Sequence, residues 1–167
     1  MNNQRRLVLL SAASAALAGC GFRLRGVPSF AFSTIHINGP ENSPLLNELR
    51  QQIASSGSVQ VIRESARATE AQVVLDIVSE QREKVVVGLN ASGQVREFQL
   101  RIRLKFRLRT PQAKELIPET ELLQQRDISF SETAVLSKEA EEQLLYRNMQ
   151  SDIVQQLLRR LAAVKAL

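Results

Sequence analysis

The chain has 167 residues, a formal net charge of +5 at pH 7, one cysteine and one histidine. One cysteine excludes an internal disulfide, and one cysteine with one histidine cannot supply the Cys and His ligands of a structural zinc site. The modest charge excess identifies no partner by itself, so the distribution of charge along the chain matters more than its total.

The beginning of the chain has the pattern of an export signal. Arg5 and Arg6 precede an apolar run, Leu7–Ala18. A membrane-spanning helix needs roughly 20 such residues, so this run is too short to remain as an anchor. Residues 1–19 are therefore predicted to be a cleaved signal peptide.

The only cysteine lies directly after this run. Leu17–Cys20 (LAGC) resembles the bacterial lipobox, in which the thiol becomes a diacylglycerol thioether and the amine freed by cleavage is acylated. Two or more acyl chains hold a protein stably on a membrane. We predict covalent N-acyl and S-diacylglycerol lipid on Cys20, with no other cofactor. The alternatives are a buried thiol and an odd cysteine awaiting an intermolecular disulfide.

The sequence after Cys20 predicts a location and a domain plan. By resemblance to the sorting rule of such lipoproteins, Gly21 in place of an aspartate favours the outer membrane, on its periplasmic side. Residues 20–32 contain glycine and proline with little periodicity, so they are predicted to be a lipidated tether. Residues 33–167 are long enough for one compact domain but not comfortably for two.

The domain is predicted to begin with a short strand. Ser33–Asn38 alternates polar and apolar residues, and His36 lies on the face opposite the isoleucines, where we expect it to be exposed. A brief second strand is predicted at Val59–Ile62.

A helix is predicted between these two segments. Asn42 or Ser43 is the expected N-cap, Pro44 the first helical residue, and Gly57 the stop. The apolar stripe that should face the core consists of Leu45, Leu46, Leu49 and Ile53.

The middle of the chain predicts long antiparallel strands. Ala71–Gly88 is rich in β-branched residues, residues 89–93 have turn chemistry, and Gln94–Arg109 is predicted to return as the second strand of a hairpin. Pro111–Pro118 is predicted to be another turn, followed by a strand over Glu119–Phe130.

The end of the chain predicts a long helix with Ser137 as N-cap and Arg159 and Arg160 in its last turns, where they match the helix dipole. Its apolar stripe should belong to the core; it comprises Leu144, Leu145, Met149, Ile153, Val154, Leu157, Leu158 and Leu161. The fold class predicted is α+β, a two-layer sandwich of two helices on a mostly antiparallel sheet of about four strands.

At this point the whole mature chain resembles the LPS-assembly lipoprotein LptE family. The resemblance is carried by CGFRLRG from Cys20, GQVREFQL from Gly93, and LYRNM from Leu145 followed by DI and QLLRRL. It implies a non-enzymatic outer-membrane lipoprotein that plugs the LptD β-barrel as a 1:1 complex and assists it. It also implies binding of lipopolysaccharide during delivery to the outer leaflet.

One predicted strand carries an unusual charge pattern, the basic ladder of Arg101, Arg103, Lys105, Arg107 and Arg109. Period-two geometry sends these five cations to one face and the intervening apolar residues to the core. Arginine can bind the phosphates of lipid A through a bidentate fork. The alternative is a solvated face paired with neighbouring acids, for which the candidates are Asp76, Glu80, Glu115, Glu119, Glu121 and Asp127.

The family resemblance also implies lipopolysaccharide contacts near the hairpin tip and near the start of the last helix. Lys138 matches the second position. Ala91 stands where a relative can carry a cation, so Arg96 is the nearest substitute. The candidate lipopolysaccharide-binding residues are therefore Arg96, Arg101, Arg103, Lys105, Arg107 and Lys138.

Three other functions would need different features in the sequence. A nucleic-acid binder would use aromatic residues for base stacking, but the basic stretch offers only Phe98 and Phe106, both in the apolar register. A hydrolase would need paired carboxylates, and nothing in the spacing of Glu80, Glu83 and Glu97 requires them to approach. We expect no enzyme and no nucleic acid. The remaining alternative is another outer-membrane lipoprotein scaffold, such as a barrel-assembly accessory subunit.

Overall fold

A computed structural model describes residues 29–167, and the predicted signal peptide and Cys20 lie outside these described residues. The main elements are β1 (Thr34–Asn38), α1 (Pro44–Ser55), β2 (Gln60–Ile62), β3 (Val73–Leu89), β4 (Val95–Arg109), β5 (Glu115–Ser129) and α2 (Val135–Ala162). Short 3-10 turns at Ser65–Glu70 and Glu132–Ala134 precede β3 and α2.

The five strands form one mixed sheet in the order β2-β1-β3-β4-β5. β1 runs parallel to both β2 and β3, whereas β3, β4 and β5 are successively antiparallel. The predicted α+β sandwich is confirmed, with five strands rather than four. The additional strand is the three-residue β2, at the parallel edge of the sheet.

The core lies between one face of the sheet and the two helices. Alternate β4 side chains from Leu100 to Leu108 are fully buried, as are the α1 stripe and most of the α2 stripe. Phe32 is 3% exposed, and the centre of its ring lies 5.3 Å from that of Phe30. The core therefore reaches into the end of the segment predicted as a tether. Within residues 29–167, no helix is both long enough and apolar enough to cross a bilayer.

The first helix agrees with its sequence pattern. Ser43 is the N-cap, and its hydroxyl accepts a hydrogen bond from the Leu46 amide at 3.1 Å, with Pro44 as the first helical residue. Gly57 follows the helix with a φ of +70°, a conformation that L residues with a Cβ rarely adopt.

Two expectations about the last helix were wrong. Ser137 is not the N-cap, because the helix begins at Val135 directly after a 3-10 turn, and the Ser137 hydroxyl donates to the Ala134 carbonyl at 2.8 Å. Leu144 is 51% exposed rather than part of the core. It lies one residue before Leu145, about 100° around the helix, and this rotation takes it off the buried stripe.

The turn between β4 and β5 is shorter than predicted. It covers only Thr110–Lys114, where the Thr110 amide bonds to the Lys114 carbonyl at 2.8 Å, and β5 already begins at Glu115. Pro118 therefore lies inside a strand. It is tolerated because β5 is an edge strand and its register with β4 shifts in this region, so the missing N–H breaks no regular ladder.

The prediction that His36 is exposed was also wrong, since the residue is only 4% exposed. β1 lies between two parallel neighbours and contacts the 3-10 turn at Ser65–Glu70. The imidazole Nδ1 lies 3.0 Å from the Ile62 carbonyl oxygen, which satisfies this buried polar group.

Candidate functional site

The basic ladder lies on the open face of the sheet, opposite the helices. Ile102, Leu104 and Phe106 are fully buried on the helix face, so the alternating cations of β4 point the other way. The cross-strand partners on this face include Gln81, Glu83 and Glu121. The predicted separation of the ladder from the core is therefore correct.

Two cations at the end of the ladder share one buried carboxylate. Arg109 Nε and Arg107 Nε donate to Asp76 Oδ2 at 2.7 and 3.0 Å, and Asn38 Nδ2 donates to Oδ1 at 3.0 Å. Burial raises the pKa of Asp76, but the hydrogen bonds from Arg109, Asn38 and Arg107 outweigh burial and hold the pKa below its usual value. These arginines therefore help to hold β1, β3 and β4 together through Asp76.

The middle of the ladder is also paired. Arg103 lies 3.4 Å from a Glu83 carboxylate oxygen and 3.2 Å from one of Glu121, and Arg101 lies 3.9 Å from Glu83. Within residues 29–167, Lys105 alone among the five cations forms no ion pair. Four of the five cations of the ladder are therefore paired with neighbouring acids, as the alternative interpretation predicts.

The identities of these acids were predicted only in part. Asp76 and Glu121 were among the candidates, but within residues 29–167 the other four, Glu80, Glu115, Glu119 and Asp127, form no ion pair with the ladder, and Glu83 was missed as a partner. A register shift between Ile77 and Ser79 explains the errors at Glu80 and Glu83, because it reverses the faces of the residues that follow. Glu80 therefore points to the helix side, where it accepts a hydrogen bond from the Ser43 hydroxyl at 2.6 Å.

Lys138 lies away from the basic ladder, in the first turn of α2, and its side chain reaches the end of β5. Its Nζ donates to the Ser129 hydroxyl and to a Glu141 carboxylate oxygen, both at 2.9 Å. The structure therefore does not bring Lys138 together with the basic ladder, because α2 covers the opposite face of the sheet.

A second lysine lies near Lys138. Lys84 Nζ is 2.6 Å from a Glu142 carboxylate oxygen and 4.4 Å from the centre of the Phe98 ring. Phe98 packs edge-on against Phe130 at 5.6 Å. A cavity of about 70 Å³ lies between these groups. We call it the two-lysine cleft; its lining includes Lys84, Phe98, Phe130, Val135, Lys138 and Glu142.

The two-lysine cleft has the composition of a site for an amphipathic anion. Two ammonium groups lie beside two aromatic rings, and the neighbouring Val135 and Leu136 are 40% and 83% exposed. Each lysine is held by a glutamate in the described structure, so an anion would have to displace these contacts. These pairs are partly exposed, with 17% to 48% of each side chain accessible, so solvent weakens them and an anion can exchange with the glutamates.

Arg96 lies on β4, two residues before Phe98, which lines this cleft. Its side chain is exposed, and its carbonyl accepts a hydrogen bond from the Phe130 amide at 2.8 Å. The structure therefore places both predicted residues, Lys138 and Arg96, at one end of the molecule. The sequence did not point to Lys84 or Phe130, which only the register of β3 and β5 against β4 brings beside them.

Two of the glutamates considered for hydrolysis do not face each other. Glu80 and Glu83 lie on opposite faces of β3, and Glu83 is bound to arginines. In residues 29–167, no group of three or more His, Cys, Asp or Glu side chains is placed to hold a metal ion.

Comparisons with known proteins agree on one group. The sequence profile of the family LptE, described as Lipopolysaccharide-assembly, matches residues 32–161. The LPS-assembly lipoprotein LptE of Yersinia enterocolitica serotype O:8 is 29% identical over 99% of this chain and 79% of its own length.

Solved structures share the fold. The solution NMR structure of uncharacterized lipoprotein B from Nitrosomonas europaea has 34% identity and a TM-score of 0.73, covering 86% of this chain and 91% of that chain. The crystal structure of rare lipoprotein B from Shewanella oneidensis has 20% identity and a TM-score of 0.65, covering 78% and 95%. The second likeness concerns the fold alone.

Proposed function

This chain belongs to the LptE lipopolysaccharide-assembly family, and from that premise we propose that it plugs and assists an LptD-type outer-membrane β-barrel. It would be held on the periplasmic side of the outer membrane by lipid on Cys20. It would form a 1:1 complex with the barrel and bind lipopolysaccharide during its delivery to the outer leaflet, without catalysis.

The two-lysine cleft is the observation that best supports lipopolysaccharide binding. Lipid A joins phosphates to acyl chains, and the cleft joins Lys84 and Lys138 to the rings of Phe98 and Phe130. Ammonium groups attract phosphate, and the aromatic rings and exposed Leu136 can cover part of an acyl chain. Arg96, exposed on β4 two residues before Phe98, adds a further cation.

The basic ladder supports a different part of the proposal. Arg107 and Arg109 share the buried carboxylate of Asp76, and Arg103 is held by both Glu83 and Glu121, whereas each lysine of the two-lysine cleft is held by one glutamate. The arginines of the ladder are therefore less readily released to a phosphate than the two lysines. An open sheet face of interleaved cations and anions instead suits contact with a polar wall, because complementary charges fix register and exclude wrong partners. We therefore assign lipopolysaccharide to the two-lysine cleft and the open face to the barrel lumen.

Capture from the native membrane tests the partner. The full-length chain, tagged at its C-terminus, would be purified from outer membranes in mild detergent, and its partners would be identified by mass spectrometry. We expect one LptD-type barrel in equimolar amount. Recovery of the chain only as a monomer contradicts the plug proposal, and recovery of a barrel-assembly machine instead favours the scaffold alternative.

Lipopolysaccharide binding needs a separate readout. Binding of purified lipopolysaccharide to the Lys84→Glu/Lys138→Glu variant should fall, while the matched Arg126→Glu variant should bind normally. Arg126 is a suitable control because it is also an exposed cation in an ion pair, with Asp152 at 3.2 Å, on β5. Equal loss in both variants would mean that the cleft has no particular role.

A further inference from the structure

Lys84 is held inside the two-lysine cleft by one anionic and one neutral contact. It lies opposite the fully buried Leu100 in the β3–β4 pair, so its side chain points toward α2. Its Nζ is 2.6 Å from a Glu142 carboxylate oxygen and 4.4 Å from the centre of the Phe98 ring. If Glu142 moved away, the aromatic ring would still attract the ammonium group and keep it in place.

Lys138 has the same two kinds of contact. Its Nζ donates to a Glu141 carboxylate oxygen and to the Ser129 hydroxyl, both at 2.9 Å. Glu141 and Glu142 are consecutive on α2 and lie about 100° apart around the helix, so each reaches a different lysine. Both lysines of the cleft are therefore neutralised by a carboxylate while a neutral group holds them in position.

The charge of an incoming anion decides whether it can replace these carboxylates. A phosphate diester carries one negative charge, as a carboxylate does, so exchanging one for the other gains no net attraction. A phosphate monoester carries about 1.5 to 2 negative charges at pH 7 and presents three acceptor oxygens. Only the monoester therefore gains attraction to the ammonium groups when it displaces the glutamates.

We propose that Glu141 and Glu142 are exchangeable counter-ions that make the two-lysine cleft select amphiphiles with phosphate monoesters over phosphodiester lipids. This inference rests on the lipopolysaccharide binding proposed above. The glutamates do not change the difference in affinity between the two kinds of phosphate, because that difference comes from the phosphate charge. They lower the affinity for both, and this leaves the diester without a net gain from binding.

Such selection matters for a chain that is anchored among lipids. Most phospholipids of a bilayer are phosphate diesters, and they would surround the anchored chain in large excess. Lipid A, in contrast, carries its phosphates as monoesters. Two lysines without counter-ions would attract the abundant diesters as well, whereas lysines already paired with carboxylates exchange only for the more highly charged group.

Glu139 provides a matched control for the counter-ions. It lines the same cleft and lies in the first turns of α2, but within residues 29–167 it forms no ion pair. Glu139→Gln and Glu142→Gln each remove one negative charge from the cleft and from the same end of the helix dipole. Only Glu142→Gln also releases a lysine.

Titration with two lipids tests the selectivity. The full-length chain, purified from membranes in a non-ionic detergent, would be titrated by calorimetry with dihexanoyl phosphatidic acid and with dihexanoyl phosphatidylmethanol. These lipids differ by one methyl group on the phosphate. We expect the wild type to bind the monoester about fivefold more tightly or better, the scale of one additional ion pair. Equal affinities for the two lipids overturn the inference.

Inorganic phosphate distinguishes a lipid from a free anion as the ligand. It carries the charge of the monoester but has no acyl chain to cover the rings of Phe98 and Phe130. We therefore expect it to bind the wild type more weakly than phosphatidic acid does. Equal or tighter binding of inorganic phosphate would identify a free-anion site and overturn the assignment to an amphiphile.

A double-mutant cycle tests the counter-ion role itself. Glu142→Gln should tighten binding of both lipids by about threefold or more, and by clearly more than Glu139→Gln, because an ion pair no longer has to be broken. In a chain that already carries Lys84→Gln, the same substitution should bring no gain, since no ammonium group is left to release. A gain that persists without Lys84, or that Glu139→Gln reproduces, would reflect general repulsion and overturns the inference.

A second pair keeps the test independent of folding. Glu142→Gln removes a contact between α2 and β3, so the melting temperature of each variant would be measured first. If Glu142→Gln is unfolded, Glu141→Gln tests the same role at Lys138, its partner within the first turns of α2, and should also tighten binding. Wild-type binding of lipopolysaccharide with no gain in either variant overturns this inference alone. Absence of lipopolysaccharide and phosphatidic acid binding in the wild type and in both folded variants would also remove the cleft from the proposed function.

Discussion

Arg109 donates a hydrogen bond from Nε to Asp76 Oδ2 at 2.7 Å, across the β3–β4 pair. The same carboxylate accepts from Arg107 on β4 and from Asn38 on β1. With 8% of its side chain exposed, Asp76 joins three strands at the point where the sheet changes from parallel to antiparallel pairing.

Replacing this carboxylate should lower the stability of the folded chain. We expect Asp76→Asn to lower the free energy of unfolding by about 1.5 to 3 kcal/mol, the usual contribution of hydrogen bonds to a charged group. Urea denaturation measures the change. Asp127→Asn is the control, because Asp127 is exposed and accepts from Gln99 in a similar cross-strand contact. Equal effects of the two substitutions would contradict a special role for Asp76.

The lowered pKa of Asp76 also predicts how stability depends on pH. A carboxyl whose pKa is lower in the folded state contributes stability above its unfolded pKa, about 3.9, and loses it as the pH falls through the folded pKa. The wild type should therefore lose stability below about pH 4 more steeply than Asp76→Asn. Parallel curves of unfolding free energy against pH would show that Asp76 contributes nothing to acid unfolding.

The long helix offers a test of the core. Leu157 is fully buried on α2, so Leu157→Ala should cost roughly 2 to 5 kcal/mol through lost burial and the cavity left behind. Leu144→Ala, the matched change at an exposed position on the same helix, should cost far less. Thermal unfolding compares the two, and an unchanged melting temperature for Leu157→Ala would mean that this face is not packed.

Local sequence patterns were sufficient for the elements that carry their own periodicity. The apolar stripe ending at Ile53 and a cap at Asn42 or Ser43 predicted α1, and the alternation after Leu100 predicted both faces of β4. These predictions depend only on neighbours a few residues apart, so a single sequence contains all the information they need.

Contacts between residues far apart in the chain could not be predicted from local sequence patterns. The β3 bulge after Ile77 moved Glu80 to the helix face and Glu83 to the basic ladder, and nothing local in the sequence marks it. His36 became buried because the 3-10 turn at Ser65–Glu70 and the Ile62 carbonyl of β2 lie against it, and both come from distant parts of the chain. The two-lysine cleft was missed for the same reason, since Lys84 and Lys138 are brought together only by register.

Lipidation of Cys20 remains a prediction from the lipobox. We expect the protein extracted from membranes to begin at Cys20 and to carry a diacylglycerol thioether with an acylated amine. Intact mass spectrometry measures both at once, and Cys20→Ser provides the control that should be neither lipidated nor processed at this site. A full-length chain with a free Cys20 thiol would contradict the prediction.

The last prediction separates the basic ladder from the two-lysine cleft by comparing Arg103→Glu with Lys138→Glu. Arg103 is bound to Glu83 and Glu121, so a glutamate there adds like charges to two carboxylates and should lower the melting temperature. At Lys138 a glutamate meets Glu141, but it also lies in the first turn of a helix, where negative charge is favourable, so the two effects should nearly cancel.

Lipopolysaccharide binding should follow the opposite order in these two variants. We expect Lys138→Glu to weaken binding and Arg103→Glu to leave it close to wild type, as measured with purified lipopolysaccharide at two ionic strengths. Wild-type binding should weaken with added salt, because charges near the surface are screened with a Debye length of about 8 Å at physiological ionic strength.

Weaker binding in Arg103→Glu with an unchanged Lys138→Glu would instead assign the phosphates to the ladder. If Arg103→Glu keeps its binding and stability but loses the barrel, the open face of the sheet is the surface that meets the barrel wall, because only a contact made in the complex would then have been removed.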